Sequence, residues 1–140
     1  MFRLIPGLEN AEFLRYGVMR RNNFINFPKV CDIYSRLKCN NNIFIAGQLS
    51  GVEGYVESIA SGLYCAINVA NMLENKPMLK LTNHTIIGGL YEYLINANTE
   101  HFQPINANLG ILAPIEMRDK QKRNEMYAER SKEEIQSILK

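Results

Sequence analysis

The sequence predicts an α/β fold in which a strand, a glycine-rich loop and a helix follow one another and further helices come after. Three observations carry that reading. Ile43-Phe44-Ile45-Ala46 is a short, continuously apolar run between turn signals, which is how a buried, parallel strand reads. Gly47 to Gly54 is a loop with three glycines. From about Tyr55 to Glu74, apolar residues recur at helical spacing.

Before that unit, turn signals outnumber periodic ones. Pro6-Gly7 and Pro28 mark turns. Leu8–Tyr16 reads as a short helical turn or an extended piece, and Ile33–Leu37 as a short strand. Asn40-Asn41-Asn42 makes a polar break. In the helix, Val56, Ile59, Ala60, Leu63, Ile67, Ala70 and Leu73 form one apolar face. The small residues Ala60, Gly62 and Ala66 let the helix lie close to a sheet, and Pro77 marks its stop.

Thr82 to Thr85 offers N-caps for a second helix, about 85–96, with Ile87, Leu90, Tyr91 and Leu94 as its stripe. Gly88-Gly89 weakens that helix by roughly 1 kcal/mol each relative to Ala. A loop from Asn98 to Met117 holds Pro104 and Pro114. A charged helix, about Arg118 to Leu139, closes the chain. Its apolar positions are sparse: Met126, Tyr127, Ile135, Ile138 and Leu139. Internal repeats and low-complexity tracts are lacking.

The chain has 140 residues, 46% of them hydrophobic and 21% charged. That is one domain's worth and argues against wholesale disorder. A net charge of +2 is too small to argue for nucleic acid by itself. The basic residues are uneven, however: Arg15, Arg20 and Arg21 lie together, as do Arg118, Lys120, Lys122 and Arg123. Such patches bind phosphate or are simply solvated. The three cysteines, Cys31, Cys39 and Cys65, show no C-x-x-C spacing, which fits a reducing, cytoplasmic setting. The opening MFRLIPGLEN lacks an apolar signal core. No run approaches the ~18 apolar residues of a membrane span.

The chemistry gathers at the strand–loop–helix unit. A loop at the carboxyl end of a buried strand opens into the ligand crevice of an α/β sheet. Glycines at 47, 51 and 54 let backbone approach a ligand without Cβ collisions. The helix start adds unpaired N–H groups and a positive dipole end, suited to a phosphate or an electron-rich ring edge. The spacing is G-x-x-x-G-x-x-G, which is not the dinucleotide fingerprint. A tight turn without ligand is the alternative. Glu53 and Glu57 either complement the dipole or, for Glu53, face the crevice as a proton acceptor. Cys65 reads as an inert core thiol, and His84 as a capping or exposed residue. Cys31, Cys39, His84 and His101 lack metal-site spacing.

From Ala46 onward, AGQLSGVEGYVESIASGLYCAINVA resembles the flavin-contacting segment of the methylenetetrahydrofolate–tRNA-(uracil-5-)-methyltransferase family. The opening FRLIPGLENAEFLRYGVMRRNNFIN, the later HFQPINANLGILAP and the RDKQKRNEMYAER helix are similar to the same family, so the resemblance spans essentially the whole chain. A related flavoprotein family that modifies the wobble uridine of tRNA also carries a G-Q-x-x-G segment. The Gly51-Val52-Glu53-Gly54-Tyr55-Val56-Glu57-Ser58 string favours the methyltransferases.

The resemblance implies the C-terminal part of a discontinuous, Rossmann-like FAD-binding domain, in an enzyme that methylates C5 of a uridine in the tRNA T-loop or, in some relatives, in rRNA. It implies FAD, 5,10-methylenetetrahydrofolate as carbon donor, and NAD(P)H as reductant. It places Gly47, Gln48, Gly51, Val52, Gly54 and Tyr55 on the flavin, Glu53 near folate and uracil, and Arg20, Arg21 and Asn22 near folate and RNA. Met19-Arg20-Arg21-Asn22 departs from the family's usual Met-His-Arg-Asn, and Leu109 stands where Phe is usual. The family's G-x-G-x-x-G unit and nucleophilic cysteine have no counterpart among these residues. The expectation is therefore a part with an uncovered apolar helix face, inactive alone, that a separate N-terminal chain would complete.

Overall fold

The computed structural model describes residues 2–14 and 23–138. The expected contacts at Arg20, Arg21 and Asn22 therefore lie outside the described residues, as do Arg15 and Leu139. Residues 2–14 form a 3-10 turn at Phe2–Leu4 and loose turns. Beyond them, a short helix α1 (Phe27–Val30) leads into strands β1 (Arg36–Leu37) and β2 (Asn40–Phe44). After a 3-10 turn at Gly47–Ser50 come β3 (Val52–Glu53) and the long helix α2 (Tyr55–Leu73). Helix α3 (Ile86–Asn96), strand β4 (Ile105–Asn106), a 3-10 turn at Leu109–Ile111 and helix α4 (Lys120–Ile138) complete the order.

The mixed α/β class holds, with two small sheets. The strand expected over Ile43–Ala46 is corrected. β2 begins earlier, takes in the asparagine run and pairs antiparallel with β1, Arg36 opposite Phe44 and Leu37 opposite Asn40. It is an exposed ribbon, with Ile43 at 43% exposure. Its only strand partner among the described residues is the two-residue β1, so its apolar end is half-buried, with Ile45 just beyond it packing on the core. The parallel pairing lies instead past the glycine turn, where β3 runs beside β4, Val52 opposite Ile105 and Glu53 opposite Asn106.

Helix α2 spans the expected residues, but it is inside out. Its buried side chains are Ser61, Tyr64, Cys65 and Asn68, an i, i+3, i+4, i+7 row. That row is mostly polar, and it hydrogen-bonds to main chain. Asn68 clamps Leu79 from both sides: its Oδ1 accepts from the Leu79 N–H at 2.6 Å and its Nδ2 donates to the Leu79 carbonyl at 3.2 Å. The Tyr64 hydroxyl donates to the same carbonyl at 2.9 Å. The apolar stripe does not lie against a sheet. Val56, Ile59, Leu63 and Leu73 are 76%, 74%, 63% and 72% exposed.

The core forms around α3. Leu90, Tyr91 and Leu94 pack with Phe27, Val52, Tyr64 and Phe102. Tyr91 stands between Phe27 and Tyr64, with ring centroids at 6.1 Å and 4.6 Å, and its hydroxyl accepts from Ser35 at 2.8 Å. Thr85 caps α3 by accepting from the Gly88 N–H at 3.0 Å. Gly88-Gly89, costly for helix propensity, has a packing reason. A Cβ on Gly88 would run into the Thr82 carbonyl, and one on Gly89 would come within 2.7 Å of the Ile111 carbonyl.

Helix α4 is tied on by polar contacts. Glu134 accepts from the Thr82 N–H and hydroxyl at 2.7 and 2.6 Å, and Arg130 donates to the Ala113 carbonyl at 2.8 Å. Its Ile135 and Ile138, with Leu63, Ile67, Leu79 and Leu81, border an almost wholly apolar groove of about 230 Å³. Among the described residues no helix is long and apolar enough to cross a membrane.

The inverted helix makes an unusual pair of expectations. Leu63→Glu, on an apolar position of an amphipathic helix, changes the chain's stability by no more than about 0.5 kcal/mol. Asn68→Ala, on the polar side, costs about 1–3 kcal/mol because it leaves the half-buried Leu79 amide without its acceptor and empties a fully buried site. Urea unfolding of both variants checks the order; a larger loss for Leu63→Glu would mean that the stripe is buried after all.

Candidate functional site

The turn that opens α2 is shaped by three left-handed glycines, with φ of 66° at Gly47, 93° at Gly51 and 99° at Gly54. Such angles strain residues with a Cβ. The turn is also held from beneath. The Ser61 hydroxyl accepts from the Gly47 N–H at 2.7 Å and donates to the Ser58 carbonyl, and the Ser50 hydroxyl donates to the Gly47 carbonyl at 2.6 Å. The same buried row of α2 that sets the helix therefore sets the loop.

The six loop residues expected to meet a ligand divide into two groups. Gln48, Gly54 and Tyr55, with Ser58, line an open crevice of about 360 Å³. Tyr55 is 92% exposed, so its ring is a free flat surface. Gly47 packs against Ser58, and its N–H is already spent on Ser61. Gly51 and Val52 are buried. A Cβ on Gly51 would meet the Phe102 ring at 2.6 Å and Leu94 at 3.4 Å. Gly51 thus has a structural reason beside the expected ligand approach: core packing and its φ both require glycine. Ser58 and Ser61 escaped the sequence reading. Both stand on the helix face next to the loop, and their hydroxyls carry no signal in an apolar-stripe search.

Glu53 follows buried Val52 on β3, so strand alternation turns it to the other, half-buried side. Its carboxylate has no hydrogen-bond or ion-pair partner among the described residues, which leaves it available to a group from outside. Glu57 lies in the first turn of α2, and its carboxylate curls over Gly54, where any Cβ would collide with it. The N-cap is Gly54 itself and contributes no side-chain acceptor. A carboxylate at this end opposes a phosphate and favours a ligand edge that donates hydrogen bonds. Gln48 adds an amide with both donor and acceptor, Ser58 a hydroxyl, and Tyr55 a stacking face. These residues suit the ring portion of a planar heterocyclic cofactor better than its phosphates.

The thiols are unequal. Cys39 is exposed, whereas Cys31 and Cys65 are buried. Burial, reinforced by the neighbouring Asp32 charge, pushes the Cys31 thiol up to about 11, and burial raises Cys65 as well. Neither is poised as a thiolate nucleophile near neutral pH. Burial likewise pushes the Tyr91 phenol up to about 12.

A family model described as Glucose inhibited division protein A matches residues 1–77. The chain is 50% identical over 142 residues to the methylenetetrahydrofolate--tRNA-(uracil-5-)-methyltransferase TrmFO of Anoxybacillus flavithermus, which covers 100% of this chain and 33% of that protein. The enzymes of the same name from Bacillus cytotoxicus and Listeria monocytogenes are 48% and 49% identical, each covering 99% of this chain and 32% of the relative. The chain thus spans about a third of the length of the curated relatives it matches.

Two outcomes follow from this geometry. Gly51→Ala loses about 1–3 kcal/mol from crowding against Phe102, on top of its backbone strain. Gly54→Ala meets only the movable Glu57 side chain and loses about 1–2 kcal/mol, from strain alone. Denaturation without any ligand ranks them, and equal stabilities would refute the separation of roles.

Alkali gives the second outcome. Cys31 and Tyr91 are neutral when protonated, and folding raises both, so the unfolded chain releases their protons first. Stability is level up to about pH 9 and then falls through about pH 12, by an amount on the order of a few kcal/mol. Urea midpoints measured against pH check this, and a flat profile would contradict the burial of these groups.

Proposed function

Because the chain belongs to the family described as Glucose inhibited division protein A, and its curated relatives there are TrmFO methyltransferases, we propose that it is the flavin-contacting part of a folate- and FAD-dependent RNA uracil-5-methyltransferase. The observation that carries this reading is the crevice of Gln48, Gly54, Tyr55 and Ser58, next in the chain to Glu53, which has no partner among the described residues. It lies within the string that resembles the family's flavin segment. The domain is taken as one piece of a Rossmann-like FAD-binding fold.

The residues present fit the ring end of FAD. Gln48 and Ser58 would hydrogen-bond its edge, Tyr55 would cover a face, and the open N-terminus of α2 would add N–H groups. When bound and reduced by NAD(P)H, FAD supplies the electrons that convert the carbon of 5,10-methylenetetrahydrofolate to a methyl group. Glu53 would orient folate and uracil and accept a proton as its free carboxylate. Arg20, Arg21 and Asn22 are assigned to folate and RNA on resemblance alone. The substrate is the T-loop of tRNA, with rRNA as the alternative, and the setting is the cytoplasm.

The exposed stripe of α2 supports the view that this part works with more protein around it. Val56, Ile59, Leu63 and Leu73 form a row of large apolar side chains in water, and such contiguous patches mark interaction surfaces. A polypeptide carrying the nucleotide-binding βαβ unit and the nucleophilic cysteine is the occupant that completes the enzyme. These 140 residues carry neither, and by themselves are expected to be inactive. A non-catalytic remnant is the second reading, favoured by the departure at Arg20.

Co-purification with the remaining two thirds of the Anoxybacillus flavithermus relative tests the proposal. The expected result is a colourless lone chain and a yellow complex, lost when Ile59→Glu and Leu63→Glu are combined. A lone chain that retains stoichiometric flavin would overturn the need for a complement. A colourless mixture with no complex would leave only the remnant.

A further inference from the structure

We propose that the start of α4 is a docking surface for the phosphate backbone of RNA, carried by Arg118, Lys120, Lys122 and Arg123. Given the reading above, this names where the substrate's backbone would rest. Within residues 118–123 there are four cations and one carboxylate, Asp119. None of the four cations has a carboxylate within ion-pair distance among the described residues. Arg118, Lys120 and Lys122 are exposed and Arg123 is half-buried, with one Arg123 nitrogen 3.5 Å from the Met117 carbonyl. Glu125, the next acid, accepts from the Gln121 amide at 3.3 Å.

The placement of these charges is electrostatically backward. A helix is stabilised by acids in its first turn and bases in its last. α4 has no acid in its first turn and no base in its last, and its glutamates Glu129, Glu133 and Glu134 come later. Lys120, Lys122 and Arg123 add positive charge to the positive end of the dipole. A local choice that opposes helix stability, offset among the described residues by the Asp119 cap alone, is expected where the residues serve a ligand. The ligand is an anion.

Its type follows from the surroundings. Asp119 caps the helix, accepting from the Gln121 and Lys122 N–H groups at 2.9 and 3.3 Å. Those amides are taken, so the side chains must do the binding. Side chains reaching outward from a convex helix end suit an extended polyanion rather than a small ion held in a pocket. Residues 118–125 contain no apolar side chain, so this face cannot enter a lipid surface. A water-exposed sugar–phosphate backbone remains, and cations contact such backbones without reading sequence.

The test is fluorescence anisotropy of the 140-residue chain with an unmodified tRNA transcript across a salt series. The combined substitution Lys120→Gln, Lys122→Gln and Arg123→Gln is expected to weaken binding at least tenfold at about 50 mM salt. It should also flatten the logarithmic salt slope by about two, near 0.7–0.9 per phosphate contact. Lys132→Gln, farther along the same helix, should bind as the parent does. The thermal midpoint of the triple variant should stay level or rise, because the cations leave the positive end. Parent-like affinity and slope in the triple variant would overturn the proposal. So would an absence of tRNA binding by the parent chain, or stronger binding to phosphatidylserine vesicles than to tRNA. Flavin recovery in the complex reads the enzyme assignment separately, so a yellow complex with an unaffected triple variant removes only the docking surface.

Discussion

The polar row on α2 is the constraint from which the rest of the structure follows. Ser61, Tyr64 and Asn68 occupy the buried side of this helix, and each is satisfied by main chain: Ser61 by the Gly47 N–H, Tyr64 by the Leu79 carbonyl, Asn68 by both groups of Leu79. Buried polar groups without partners are costly, so once these contacts form the helix cannot rotate about its axis without stranding several of them. That fixed rotation does two things at once. It anchors the glycine turn at the helix start, and it turns Val56, Ile59 and Leu63 to water. The loop geometry and the exposed apolar stripe have a single cause.

What could be read in the sequence divides along the same line. The extents of α2, α3 and α4 were legible, because helical spacing, Thr85 and Pro77 are local signals. That the apolar face of α2 is uncovered was expected from the resemblance, but that its polar side is the one held inside was not legible. An apolar stripe says that one side is different, and only the hydrogen-bond partners of Asn68 and Tyr64, 11 and 15 residues away at Leu79, say which side goes in. The Ile43–Ala46 strand failed for a related reason. Four apolar residues are compatible with a buried strand, but burial needs neighbours, and β2 meets only Arg36-Leu37 among the described residues. The glycines show the limit most clearly. Gly47, Gly51 and Gly54 look equivalent in the sequence and share positive φ. Only tertiary contact separates Gly51, pressed on Phe102, from Gly54, open to the crevice.

The crevice has the character of half a site. One wall is present: a free ring at Tyr55, an amide at Gln48 and a hydroxyl at Ser58. It is open to solvent, and a ligand lying there would leave much of its surface in water. Enclosed sites bind by covering most of a ligand, so the opposite wall must come from elsewhere. The carboxylate of Glu57 at the dipole's positive end sharpens the point. Its charge disfavours a phosphate at that end, which leaves the phosphates of a nucleotide cofactor to other structure. A chain that spans about a third of its relatives and offers only the ring-binding wall is consistent with that division.

Helix α4 carries two unlike surfaces at its two ends. Near its end, Ile135 and Ile138 extend the apolar groove that begins on α2. At its start, Lys120 and Lys122 stand in water and, with the half-buried Arg123, reach no carboxylate among the described residues. With 1.5 Å of rise per residue, the two ends lie roughly 20 Å apart. An apolar contact must exclude water to be favourable, whereas contacts with phosphate form in water and respond to salt. Separating them along one rigid element lets protein cover the groove while the cationic end stays wet. The polar ties through Glu134 and Arg130 hold the helix between these two ends, so an object resting on its start is positioned relative to the core, and through α3 and Leu94 relative to the glycine turn.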